Sequence, residues 1–289
     1  MSWESGALSS TRSRGRSIGS GRATTIRERS TGGAPLLLAS AATVEDVVAA
    51  FAGGAGIVDL KDPGAGALGG CDAAVLAEAA ALRGRIDRSR PMSAAIGPAR
   101  DLAAPERAAT AARLGYDYVK AGLDGVTDAD EAIDLLGAIV RALRATGRGA
   151  AAGGAASTGR RTTRLIAATF ADLPAGTLEP EALPGIAERA GCCGCLLDTA
   201  VKNGRTLFDH LDAASLGRFV AAARGRGLLV ALAGALGDGD LARAAALGPD
   251  VIGLRGALCA GGRAGRLSRA RVRRFVALLG TAPRPAIAR

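Results

Sequence analysis

Three lysines stand out in a chain that otherwise uses arginine for positive charge: Lys61, Lys120 and Lys202 among 37 Lys and Arg residues. Each lies in or just after an apolar segment that reads as a short strand, at 56–61 (GIVDLK), 116–120 (YDYVK) and 195–202 (CLLDTAVK). A guanidinium keeps its charge, so arginine cannot serve as a nucleophilic amine, whereas lysine loses its proton readily when buried or repelled. Three lysines at strand ends therefore suggest amine chemistry, or at least compact ammonium groups, at one site. Asp59 precedes Lys61 by two residues, and strand alternation puts both side chains on one face. Asp198 precedes Lys202 by four. Lys120 would lower the pKa of a neighbouring lysine by like-charge repulsion, a route to a Schiff-base nucleophile. Two carboxylates and three amines suit imine formation, proton abstraction beside a carbonyl, and elimination. The same residues would also serve as a structural ion-pair network, which perturbs pKa values too.

The elements that must position these groups follow from composition and pattern. The chain has 289 residues, of which 48% are apolar and only 3% aromatic, so the core must be built from Ala, Val, Leu and Ile. That favours doubly buried parallel strands and disfavours aromatic platforms for single-stranded nucleic acid. From residue 35 the pattern predicts strands at 36–39, 57–60, 92–96, 116–120, 164–170, 195–198, 228–233 and 251–254. Helices are predicted at 44–52, 73–82, 105–114, 128–145, 180–190, 213–224, 238–246 and 268–279. Thr43-x-x-Asp46 reads as a capping-box-like start of the first helix, and Gly53–Gly54 as its stop. Eight near-equal β-then-α units predict an α/β fold, a (β/α)8 TIM barrel over 35–280, with an open doubly wound sheet as the alternative. The low-complexity segment 147–163 reads as an exposed excursion before the fifth strand, and 281–289 as a short C-terminal tail.

In a barrel, active sites form at the C-terminal strand ends and the loops after them, where all three lysines, Asp59 and Asp198 fall. Gly234 follows the seventh strand, and Gly253, Arg255 and Gly256 close the eighth. The loops after strands seven and eight commonly hold phosphate through backbone N–H groups. Glycine would let the backbone approach, and Arg255 would grip the anion.

Several classes are disfavoured. No apolar run reaches the length of a membrane span, and the N-terminus has no secretory apolar core. The net charge is +10, and residues 1–34 carry six arginines against Glu4 and Glu28. That stretch is rich in Ser, Gly and Thr without apolar periodicity, so a disordered basic N-terminal tail is expected. It superficially resembles a transit peptide and would bind polyanions weakly, but charge alone supports no specific nucleic-acid site. Five cysteines include Cys192, Cys193 and Cys195. Their C-C-x-C spacing and the single histidine, His210, argue against a metal, and they read as small core residues. Reduced thiols fit a cytoplasmic protein. His210 reads as packing or surface.

Five stretches carry a resemblance: 54–69 (GAGIVDLKDPGAGALG), 115–123 (GYDYVKAGL), 197–209 (LDTAVKNGRTLFD), 230–234 (VALAG) and 250–259 (DVIGLRGALC). Together the chain from about residue 36 to 279 resembles the (5-formylfuran-3-yl)methyl phosphate synthases of methanofuran biosynthesis. The resemblance implies a TIM barrel that condenses two molecules of glyceraldehyde 3-phosphate into the furan phosphate, releasing phosphate and water. It implies no metal and no organic cofactor. It makes Lys61 the Schiff-base lysine and Asp59, Lys120, Asp198 and Lys202 its acid–base and orienting partners. It makes Gly234, Gly253, Arg255 and Gly256 phosphate contacts. The basic tail and the 147–163 segment depart from the family pattern, and the segment is expected to disturb the wall before strand five. Residues 95–101 are only loosely similar, and no role is assigned there. An aldolase for another sugar phosphate, a polyanion-binding protein and an inactive barrel used for assembly are the alternatives. The sequence leaves a homo-oligomer open.

Overall fold

Short aliphatic strands alternate with helices throughout the computed structural model, which describes residue 26 and residues 33–151, 162–174 and 176–281. The order is β1 (Leu36–Ala41), α1 (Val44–Gly53), β2 (Ile57–Leu60), α2 (Ala73–Ile86), β3 (Met92–Pro98), α3 (Ala104–Arg113), β4 (Tyr118–Gly122) and α4 (Ala129–Ala151). It continues with β5 (Arg164–Phe170), α5 (Leu183–Ala190), β6 (Gly194–Asp198), α6 (Ala213–Gly225), β7 (Leu229–Leu232), α7 (Leu241–Ala246), β8 (Val251–Leu254) and α8 (Arg269–Gly280). Each strand pairs in parallel with the next, and β8 returns to β1 through Leu36↔Val251 to Ala39↔Leu254. The sheet is a closed eight-stranded TIM barrel, which removes the open doubly wound alternative.

Alternation along the strands divides the core in two. Leu38, Ile57, Tyr118, Ile166, Leu196, Leu229 and Val251 point inward and form one cluster. The residues between them, such as Leu37, Val58, Val119, Leu165, Val230 and Ile252, pack beneath the helices in a second. Both strand faces are buried, which is why the strands read as unbroken aliphatic runs. Ile26 joins the inner cluster with 3% exposure. The expected disorder of the rest of the tail through residue 32, and the C-terminal tail beyond Thr281, lie outside the described residues.

Local details modify the expected boundaries. Thr43 Oγ1 accepts the Asp46 N–H at 3.2 Å, but the Asp46 carboxylate accepts from Ala42 N instead of returning to Thr43, so only half of the capping box forms. Gly54 ends α1 at φ 86°, a left-handed stop that glycine adopts without cost. The helices expected from 180 and 238 begin as single 3-10 turns, Pro180–Ala182 and Asp238–Asp240, before α5 and α7. Strand four starts at Tyr118, not 116, where its pairing with Ser93 and Arg164 begins; Tyr116, before it, donates from its hydroxyl to Leu76 O at 3.0 Å. The strand also runs on to Gly122, so Lys120 sits inside β4 and not at its end. α4 runs on to Ala151 and takes up the first residues of the low-complexity segment. Residues 152–161 of that segment lie outside the described residues. Among the described residues the wall is undisturbed: β5 pairs with β4 from Tyr118↔Arg164 to Gly122↔Ala168 and with β6 from Ile166↔Gly194 to Phe170↔Asp198. Thr163 Oγ1 donates to Tyr116 O at 2.5 Å and fixes the entry into β5.

Candidate active site

The site is laid down by strand register. Asp59 on β2 lies opposite Ser40 on β1 and Ser93 on β3. Both hydroxyls donate to its carboxylate, Ser40 Oγ at 3.0 Å and Ser93 Oγ at 2.5 Å. Lys120 Nζ, reaching from β4, completes the set at 2.6 Å from Oδ2. Asp59 is fully buried and Lys120 nearly so. Three donors, one of them from a lysine, satisfy a carboxyl group that would otherwise be buried without partners.

Lys61 follows β2 directly, on the same inward face as Asp59. It is 6% exposed, and its Nζ donates to Ala67 O at 3.2 Å. Burial is the largest influence on this amine and disfavours its charged form; Asp198 opposes that, and Lys120 reinforces it. The net effect lowers its pKa from 10.5 to about 8.

Asp198 ends β6. Its Oδ1 accepts from Lys202 Nζ at 2.8 Å and from Thr199 N at 2.8 Å. Lys202 Nζ also donates to Thr199 O at 2.5 Å and Thr199 Oγ1 at 3.0 Å. Burial pushes the Asp198 carboxyl up, but Lys61 and Lys202 with these hydrogen bonds more than offset it, so it lies below its ordinary value. The loop carrying Lys202 is tied down by Asp172 after β5, which accepts Ala200 N at 2.6 Å and Val201 N at 2.8 Å.

These groups surround a cavity of about 320 Å³ lined by Ser40, Lys61, Ser93, Lys120, Asp198 and Lys202. Asp59 lies behind this lining, in contact with Lys120. A lysine amine of lowered pKa, two further lysines and an aspartate thus share one cavity. The arrangement can form an imine with a carbonyl compound and move protons at the adjacent carbon.

The same cavity extends to the loops after β7 and β8, where Gly234, Gly253, Arg255 and Gly256 line it. Gly234 has φ 108°, and a Cβ there would meet Leu207 Cβ and Thr199 Cγ2 at 3.1 Å. Its neighbour Ala235, at φ 51°, is the one non-glycine among the described residues with positive φ. Arg255 is buried, and its guanidinium has protein acceptors: Ser40 O at 2.8 Å, Asp46 Oδ2 at 3.1 Å, Arg263 O at 3.1 Å and Gly265 O at 3.3 Å. Four of its five N–H donors are thereby taken, so a two-oxygen grip on an anion would displace at least one of these partners.

All nine residues expected at the site are therefore brought together, eight in the cavity lining and Asp59 directly behind it. Ser40, Ser93, Thr199, Asp172 and Arg263 were not anticipated. Ser40 and Ser93 had a signal, a lone hydroxyl within an aliphatic strand; Asp172 had none. His210 is half-buried beside the 3-10 turn Leu207–Asp209, away from the cavity lining. Cys192 and Cys195 are buried, and burial pushes the Cys195 thiol up to about 12. Among the described residues no group of three or more His, Cys, Asp or Glu could hold a metal ion. No helix among them is long and apolar enough to cross a membrane.

Comparison with known proteins bears on this site. Residues 37–276 match the family model described as 4-HFC-P synthase. The chain is 37% identical over 249 residues to the (5-formylfuran-3-yl)methyl phosphate synthase of Methanothermobacter thermautotrophicus, covering 84% of this chain and 98% of that protein. It is 36% identical to the synthase of the same name from Methanopyrus kandleri, covering 78% and 90%. Among solved structures, 2,3-dimethylmalate lyase superposes with a TM-score of 0.54 at 18% identity, covering 80% of each chain, a likeness of fold alone. The chain belongs to the 4-HFC-P synthase family of enzymes, whose named relatives are (5-formylfuran-3-yl)methyl phosphate synthases.

Proposed function

We propose that the chain condenses two molecules of glyceraldehyde 3-phosphate into (5-formylfuran-3-yl)methyl phosphate in methanofuran biosynthesis, through an imine on Lys61. The observation that carries this reading is the buried Lys61 amine, whose pKa of about 8 leaves a useful neutral fraction near neutrality. The neutral amine adds to the carbonyl of one triose phosphate, and water leaves as the imine forms. Loss of a proton from the adjacent carbon gives an enamine, which attacks the carbonyl of the second triose. Elimination of one phosphate, ring closure, dehydration and hydrolysis of the bond to Lys61, which takes back the water lost in imine formation, give the furan aldehyde and restore the amine. Two trioses lose one phosphate and two waters, so the balance closes without an oxidant, a reductant or an organic cofactor.

Lys120, Lys202 and Asp198 line the cavity and are the groups able to exchange protons with bound intermediates. Asp59 acts through Lys120, holding its ammonium in place. Gly234, Gly253 and Gly256 let the backbone approach a phosphate at the β7–β8 end of the cavity. We place the reaction in the cytoplasm, where the five free cysteines would stay reduced.

The test incubates purified protein with glyceraldehyde 3-phosphate, with and without borohydride, and follows furan absorbance and intact mass. Furan formation with one reductively trapped adduct on Lys61 is expected, and Lys61→Ala should abolish both. A fully active Lys61→Ala variant would sink the imine route. An adduct without furan would instead indicate a Schiff-base aldolase for another sugar phosphate.

A further inference from the structure

Between β8 and α8 the chain makes a tight excursion at 259–267. Cys259 bridges Leu267 in antiparallel fashion, and Ala260 N donates to Arg266 O at 2.9 Å. Gly261 and Gly262 turn its tip at φ 79° and 83°. Arg255 grips this excursion from inside the barrel, with Nε on Arg263 O at 3.1 Å and Nη2 on Gly265 O at 3.3 Å. Its Nη1 is anchored on Ser40 O and Asp46, and Asp46 in turn accepts Leu267 N at 2.7 Å. The backbone of Arg263 is thus tied to β1 and α1 through buried, charge-assisted contacts.

The Arg263 side chain points the other way in function. It is half-buried and lines the cavity that holds Lys61, Lys120 and Lys202. Among the described residues its guanidinium donates no hydrogen bond and joins no ion pair. Burial and the neighbouring Arg255 both disfavour its charge, and Asp198 favours it. A partly desolvated guanidinium without a protein acceptor is costly unless something else satisfies it.

A second, independent feature shares the cavity. Gly234, Ala235 and Leu236 line it, and among the described residues their backbone N–H groups have no acceptor. The left-handed Ala235 is a strained position, which a fold keeps where the surrounding structure requires it. Successive free N–H groups in such a turn form an anion-binding concavity.

We propose that Arg263 and the N–H groups of residues 234–236 together hold a phosphate monoester of the substrate, with Arg255 as the positioning residue that sets Arg263 in place. The identity of that monoester rests on the triose phosphate reading; the anion site itself does not. The planar fork of a guanidinium matches two phosphate oxygens, and the turn supplies donors for the remainder. Arg255 is the poorer candidate for a two-oxygen grip, since four of its five N–H donors already go to the loop, Ser40 O and Asp46.

The test titrates inorganic phosphate calorimetrically into the full chain and into Arg263→Gln and Arg263→Lys. It also measures borohydride trapping on Lys61 with glyceraldehyde 3-phosphate and with unphosphorylated glyceraldehyde. Phosphate should bind the unaltered chain and bind Arg263→Gln roughly 10- to 100-fold more weakly, as expected for loss of a charged hydrogen-bond pair. The preference for the phosphorylated aldehyde should fall by the same order, and Arg263→Lys should recover part of both. Arg255→Lys should raise KM more than it lowers kcat, whereas general loss of structure would lower kcat and the melting temperature together. Undiminished phosphate binding or undiminished preference in a folded Arg263→Gln protein overturns the proposal. No phosphate binding by the unaltered chain at millimolar concentration also overturns it, while an adduct on Lys61 would keep the imine reading. Phosphate binding that depends on Arg263, with neither adduct nor furan, would uphold the anion site and remove the condensation reading.

Discussion

Lys61 is an amine whose surroundings disagree about its charge: burial, Lys120 and Lys202 push it toward the neutral form, and Asp198 and Asp59 toward the ammonium. Because only the neutral amine attacks, the initial rate of borohydride trapping should rise as pH increases through about 8 and level off above it. Lys120→Met removes a cation that lowers this pKa and leaves Asp59 unneutralised, so the midpoint should move upward. A midpoint that stays put would show that Lys120 has no share in setting this pKa. The folded-state value lies below the ordinary lysine value, so below pH 8 the folded protein carries the cost of a buried ammonium. That cost is relieved as pH rises from about 8 toward 10.5. Any stability gained by Lys61→Met, followed by urea unfolding, should therefore be larger at pH 7 than at pH 10. Asp59→Asn is expected to act in the opposite sense. It would leave Lys120 buried without its counter-charge and cost about 3–5 kcal/mol, the usual penalty for breaking one side of a buried pair. A loss below about 1 kcal/mol would mean that Lys120 finds another partner.

At the scale of elements, what could be read in advance was whatever depends on period and composition. β2, β5 and β8 have their expected bounds, because aliphatic runs bounded by glycine or by charge fix themselves locally. Asp59 and Lys61 share a face because alternation is a property of one strand. What could not be read depends on register between strands or on distant partners. Ser40 and Ser93 reach Asp59 only because β1 and β3 align with β2 at that level. The role of Arg255 turns on Asp46, 209 residues earlier. Asp172 belongs to the same class, a loop carboxylate after β5 that holds the loop after β6. Asp172→Ala should free Ala200 and Val201, loosen the approach to Lys202, and cost about 1–3 kcal/mol through the lost charged acceptor. The checks are kcat/KM for furan formation, expected to fall about 10-fold, and the urea midpoint; unchanged kinetics would place Lys202 under the control of Asp198 and Thr199 alone.

At the scale of the whole molecule, the barrel interior raises a packing question that its strands do not answer. Several inward positions carry little volume: Ala95, Ala168 and Ala231 in the inner cluster, and Gly253 beside the cavity. Barrel interiors are normally filled by branched side chains from the strands themselves. Here Ile26 contributes to that filling from a position before β1, with 3% exposure and contact with the same cavity. The family match begins only at residue 37, so this residue lies outside the portion the family shares. The arginine-rich composition around it gave no periodicity from which its burial could be read. If Ile26 is part of the core, removing residues 1–32 should cost about 1.5–3 kcal/mol from lost apolar burial. Ile26→Asp in the full chain should cost at least as much, because it places a carboxylate where the isoleucine was. Urea unfolding of the two variants beside the unaltered chain decides the matter. Equal stability of all three would mean that the segment serves the solution around the barrel, and salt-sensitive polyanion binding lost on truncation would then be its measurable property. A loss of stability in both, with Lys61 trapping retained, would make Ile26 a packing element that this chain adds to a barrel whose chemistry is complete without it.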